Sequence, residues 1–124
     1  MSEGYTVKSW DDFEQMEGSG GCNWLLARKS LGADAFGFNV VDIDPGGELP
    51  AHDESESRQE EVFAVLEGQA TIVADDTEHP APAGTFVRYG PEVKRTVRND
   101  SDAKIRVLLI GVPESSGYEP LSWA

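Results

Sequence analysis

His52 lies in the run PGGELPAHDESESRQEEVFAVLEG (45–68), an imidazole set among carboxylates. From Asp42 to Glu61 the chain carries eight acids against one base, Arg58. Six of the ten basic residues fall between Arg88 and Arg106. An imidazole beside carboxylates is a donor set for proton transfer and for divalent metals. A guanidinium is suited to carboxylate, phosphate or enolate oxygens. Charge segregated in this way implies two segments that face each other across one site.

The elements that must position these groups read as strands. NWLLARKSL, AFGFNVVDI, VFAVLE, QATIVA, GTFVRY, RTVRN and AKIRVLLIGV are short and rich in Val, Ile, Phe and Thr. Between them stand the turn sequences DPGG, EG, DDT, PAPAG, YGPE and NDSD. Such spacing predicts an all-β antiparallel sandwich or barrel. The one helical signal is a capping box from Ser9 to Asp12, with Trp10 and Phe13 on one face. GSGG (18–21) reads as a flexible connector; no strand precedes it and no lysine follows, so it is not a phosphate loop. A strand's period of two places Glu61, Phe63 and Val65 on one face, and Arg95, Val97 and Asn99 on another.

Composition removes several partner classes. With ten basic and twenty-three acidic residues, the net charge is −13. Nucleic acid is therefore excluded as a partner, because phosphate recognition needs a cationic surface, and so is an anionic membrane. The longest apolar run, VLLIGV (107–112), is strand-sized rather than membrane-spanning. The polar start MSEGYTVKSW shows no secretory signal. A single cysteine, Cys22, excludes an internal disulfide and a CxxC zinc site. The expectation is a single-domain, soluble, cytoplasmic protein over residues 1–124, with a barrel core at about 35–113. Residues 1–34 would form an N-terminal arm and 114–124 a tail, either packed on the barrel or strapping a partner.

The stretch from Gly46 to Gly68 resembles the first motif of the cupin family: Gly46, five residues, His52, then Glu61, six residues, Gly68. PAPAG (80–84) followed by PEVKRTVRN, ending on Asn99, resembles the second. The resemblance implies a double-stranded β-helix (jelly-roll) barrel with a short N-terminal helical segment. It also implies metal ligands. His52 matches the first histidine and Glu61 the glutamate. The second histidine's place holds Glu54, or with a shifted register Glu56 or Ser57. The second-motif histidine is replaced by Arg95, which offers no lone pair to a metal.

Two functions follow from that pattern. In the first, an Arg95–Glu61 ion pair fills the metal locus, no cofactor is required, and the barrel binds a small anionic molecule. Arg95 would anchor the anion, Phe63 would line the cavity, and Arg88 and Tyr89 would rim its entrance. Glu61 and His52 would be acid–base groups of an isomerase or cyclase, or recognition groups of a sensor. The alternative is a metal-dependent enzyme of dioxygenase or isomerase type, with zinc, iron, manganese or nickel on His52, Glu61 and one of Glu54 or Glu56. A third class is an interaction module. The resemblance implies a homodimer, for which Val62, Ala64 and Leu66 would supply an exposed apolar face. His79 and Cys22 are expected to be structural.

Overall fold

The computed structural model describes residues 4–124; the first three residues of the start read for a leader lie outside the described residues. Among the described residues, nine strands form two antiparallel sheets. They are β1 (Gln15–Glu17), β2 (Cys22–Leu25), β3 (Gly37–Ile43), β4 (Gln59–Glu67), β5 (Gln69–Ala74), β6 (Thr77–Pro82), β7 (Phe86–Tyr89), β8 (Arg95–Arg98) and β9 (Ile105–Pro113). The large sheet runs β1-β2-β3-β9-β4-β7 and the small one β6-β5-β8. The all-β expectation therefore holds. The expected helical segment is one 3-10 turn, Trp10–Asp12, capped by Ser9.

Alternation builds the interior in rows. Across the large sheet, Val41, Val107 and Val65 lie side by side, as do Ile43 and Ile105 in the row beyond, all fully buried. Phe63, Ile72, Ala81, Leu49 and Val97 complete this core. Burial of each larger apolar side chain contributes about 1.5–3 kcal/mol. These rows fill one end of the barrel, so any opening must lie at the other.

Gly68 carries the chain from β4 to β5 at φ +87, and a Cβ there would lie 2.8 Å from Ile105 Cγ2. Only glycine meets both demands. At the same end of the sheet, Asn99 is fully buried and replaces missing ladder bonds. Its Nδ2 donates to the carbonyls of Ile43 and Ala103 at 2.9 and 2.8 Å, and its Oδ1 accepts from Ser101.

Three elements depart from the sequence reading. NWLLARKSL splits into β2 and a five-residue helix, α1 (Ala27–Leu31), stopped by Gly32 in the left-handed conformation. The segment TEHPAP forms β6 despite Pro80 and Pro82, which is possible because β6 is an edge strand. GSGG is the turn of the β1–β2 hairpin, so the large sheet extends into the segment read as an arm.

The expected apolar stripe is not an exposed face. Ala64 is 3% exposed and Val62 is half-buried, while the bulge between Val65 and Glu67 turns Leu66 outward. No helix among the described residues is long and apolar enough to cross a membrane.

Candidate functional site at the barrel mouth

Residues 48–52 run antiparallel to β8 and extend the small sheet. Leu49 N–H donates to Val97 O (3.0 Å), His52 N–H to Arg95 O (3.2 Å) and Arg95 N–H to His52 O (2.8 Å). His52 Nδ1 lies 3.0 Å from Pro50 O. A carbonyl only accepts, so the ring proton belongs on Nδ1. Nε2 then faces two carboxylates, Glu54 Oε2 at 3.3 Å and Glu61 Oε1 at 3.6 Å. Glu61 comes from β4. Glu54 comes from the following loop, where its N–H donates to Pro91 O (2.8 Å) and its Oε1 accepts from Ser57 Oγ (2.7 Å). Arg58, at φ 56, turns that loop into β4.

The Arg95 side chain is 0% exposed. It donates from NH1 to Glu61 Oε1 at 2.9 Å, from Nε to Val93 O at 3.0 Å, and from NH2 to the carbonyls of Gly90 and Pro91. It also stacks over the Tyr89 ring at 4.9 Å. The expected Arg95–Glu61 contact across the barrel is present. The expected anion anchor is not: the guanidinium has no surface to offer and its donors are committed to the 90–93 turn. In this arrangement Arg95 positions Glu61 and braces the loop.

The electrostatics follow from that arrangement. Burial raises the Glu61 carboxyl above its ordinary range, and Glu54 adds to the rise; Arg95 and His52 oppose it. His52 Nε2 and the two carboxylates are all acceptors, so their approach needs a shared positive charge. One proton shared between Nε2 and a carboxylate oxygen turns the contact into a hydrogen bond and, with the guanidinium, leaves the cluster neutral. A metal is the other way to supply that charge. The donor atoms of His52, Glu54 and Glu61 lie within 4.8 Å of one another. The 3.3 and 3.6 Å spacings approach the edges of about 3.0–3.4 Å expected around an ion with bonds near 2.1 Å. The three residues thus fit three ligands of an open divalent site, with Arg95 in place of a fourth.

His52 and Glu61 border a cavity of about 240 Å³ lined also by Trp24, Asn39, Gln59 and Leu109. Its width comes from two facing glycines, Gly37 and Gly111, paired between β3 and β9. A Cβ on Gly111 would lie 2.7 Å from Gln59 Oε1 and 3.4 Å from Glu61 Cγ. Sequence reading missed these lining residues. The signal was glycine inside an otherwise β-forming run, which marks close approach or a ligand.

Other predicted residues lie elsewhere. Phe63 is 1% exposed and packs edge-on against Tyr89, so it belongs to the core below the cavity. Tyr89 is also 1% exposed; its hydroxyl donates to Val73 O, and burial pushes its pKa up to about 12. It supports Arg95 from beneath rather than rimming an entrance. Arg88 points to the outer face and pairs with Glu60 at 2.6 Å. Glu56 is exposed and outside the donor cluster, which leaves Glu54 as the residue in the second histidine's place. His79 is exposed on β6, and Cys22 is buried with its thiol directed at Glu48 O.

Residues 39–111, more than half of the chain, match the family model described as cupin domain. The chain is a cupin. Among solved structures, this cupin is similar to a cupin-superfamily sugar phosphate isomerase from Silicibacter pomeroyi. The two share 25% identity over 86% of this chain and 75% of that one, with a TM-score of 0.75. A cupin protein from Bacteroides fragilis is 23% identical over 98% of this chain and 94% of that one, with a TM-score of 0.75. A predicted oxalate decarboxylase from Thermotoga maritima, 15% identical, covers 87% of this chain and 99% of its own at a TM-score of 0.73. The last two show the fold alone. A search of curated proteins finds no match.

Proposed function

We propose that this cupin binds a small hydroxyl-bearing molecule at the barrel mouth, and that a proton rather than a metal is the mobile charge there. The observation that carries this reading is the full burial of Arg95 against Glu61 and three backbone carbonyls. With that cation withdrawn, the open surface of the mouth presents the Glu61 carboxylate, amides at Asn39 and Gln59, and one imidazole, with Glu54 against that imidazole. Carboxylates and amides accept from ligand hydroxyls, whereas an anion would meet like charge. Trp24 and Leu109 supply apolar contact for a carbon skeleton. The likeness to a sugar phosphate isomerase supports a carbohydrate-type ligand.

Acid–base work follows from the same contacts. A Glu61 carboxyl held above the ordinary range holds a proton closer to neutral pH, where a general base is most effective. His52 Nε2, in reach of both carboxylates, can take up or return that proton while Pro50 O fixes the ring.

Calorimetric titration with neutral polyols and size-matched carboxylates, on protein treated with chelator, tests the ligand class. Polyol binding that is lost in Glu61→Gln is expected; binding of the carboxylates alone overturns the reading. One tightly held transition metal per chain, in protein purified without chelator, overturns the proton-centred part.

The donor spacing favours a metal as the second reading. His52, Glu54 and Glu61 would then hold the ion, which would supply Lewis-acid polarisation of a ligand oxygen. Arg95 would still hold Glu61 in place.

A further inference from the structure

One layer of strands separates the mouth from the outer face of the large sheet. On β4, Gln59 and Glu61 line the mouth, while Glu60 between them faces the other way. On β9, paired opposite, Gly111 lines the mouth and Val112 the far side. Behind the mouth lies a second cavity of about 370 Å³, where Val112, Pro113, Pro91 and Tyr118 surround Glu60 and Arg88. Its volume falls inside the range of about 300–1,000 Å³ usual for small-ligand sites.

Two of its walls are also braces of the mouth. Pro91 O accepts from Glu54 N–H at 2.8 Å and from Arg95 NH2 at 3.3 Å. Glu114, which lines the same cavity, holds Arg58 twice. Its N–H donates to Arg58 O at 2.9 Å, and its Oε1 accepts from Arg58 Nε at 2.9 Å. Arg58 N–H in turn donates to Glu54 O at 2.7 Å. An occupant packed on Pro91 and Glu114 therefore bears on the loop that carries Glu54.

We propose that this back cavity is a second ligand site, for a carboxylate with an apolar body, and that its occupant tightens the Glu54 loop. Arg88 selects the head group. Its Nε donates to Glu60 at 2.6 Å, and its two terminal nitrogens have no partner among the described residues. That end of the guanidinium is free to make two parallel bonds to a second carboxylate. An amine, by contrast, finds both acids of the cavity already held by arginines, Glu60 by Arg88 and Glu114 by Arg58. The repulsion from a net charge of −13 is screened over about 8 Å at physiological salt, which leaves the adjacent guanidinium to decide. Val112, the two proline rings and the Tyr118 ring receive the apolar body. Any effect on binding at the mouth rests on the function proposed above; occupancy of the back cavity and order in the loop do not.

Calorimetric titration with phenylacetate and with its neutral counterpart phenylethanol tests the site, circular dichroism confirming the fold of each variant. One phenylacetate per chain is expected, with weaker binding of phenylethanol. Arg88→Gln should weaken phenylacetate by at least about tenfold, as the loss of a charge-assisted contact implies, and Arg88→Lys by less. Glu61→Gln should leave that affinity unchanged. Absence of phenylacetate binding, or equal affinity in Arg88→Gln, overturns the proposal. So does stronger binding in Glu61→Gln, which would place the carboxylate at the mouth. Backbone amide exchange followed by NMR reads the link to the loop. Phenylacetate should slow exchange at Glu54 and Arg58, and unchanged rates with the ligand bound overturn the proposal. Neither readout uses a polyol, so failure of the polyol reading and failure of this site are told apart.

Discussion

Arg95 and Arg98 lie three residues apart on β8 and on opposite faces of the small sheet. Arg95 turns inward, loses all contact with solvent and meets Glu61, His52's partner, together with three carbonyls. Arg98 turns outward and meets Glu78 at 2.9 Å and Asp100 at 2.9 Å, beside Thr71. Both are arginines paired with acids at the same distance. In the outer cluster the charges stay hydrated, and Arg98 lowers the carboxyls of Glu78 and Asp100. In the inner one, burial overcomes the same kind of neighbour and the Glu61 carboxyl is raised. The strand face, more than the residue type or the distance, decides whether an ion pair is decoration or a constraint on the site.

The largest effect should come from Arg95→Ala, which strips a buried carboxylate and three carbonyls of their partner. A loss of about 3–5 kcal/mol in urea denaturation is expected; a loss near zero would break the comparison. Tyr89→Phe removes one hydroxyl bond from the platform beneath Arg95 and should cost about 1 kcal/mol in the same assay. Arg98→Ala should leave the midpoint within experimental scatter, because exposed pairs contribute little.

The pH dependence sharpens the contrast through its sign. Glu61 in the fold sits above its ordinary 4.5, so its contribution is full below that value and is lost as pH rises through the folded pKa. Glu78 and Asp100 sit below theirs, so their contributions are present above the ordinary range and are lost as pH falls through the folded values. Glu61→Gln should therefore flatten the decline of stability with rising pH in the weakly acid window, leaving the acid limb intact. Melting curves taken across pH would show it.

Much of this was legible in residue order. Strand length, turn composition and period two give the barrel, and the same period sets Glu61 opposite Arg95. His52 is marked by its glycine-rich approach. What alternation does not encode is depth. Phe63 does face inward as the pattern requires, but it packs on Tyr89 below the cavity, and Tyr89, expected at the rim, lies buried against Arg95. Nor does it encode the carbonyls of the 90–93 turn, which converge on a guanidinium only once that turn has formed. Glu54 reaches the site because Pro91 O holds its loop, a contact between segments 37 positions apart (54 to 91). Prolines hid β6, and Gly32 ended α1 too soon for any helical period to show.

The opening between Gly37 and Gly111 consists of side chains that are not there. Neither glycine has a positive φ, so alanine would fit the backbone at both places. At Gly37 the added carbon would meet only Gly111 O at 3.5 Å, ordinary contact, while at Gly111 it would press on Gln59. One methyl group at a time, these two positions act as a graded shutter on guest size, the first leaving the groups around the cavity untouched and the second displacing Gln59 beside Glu61.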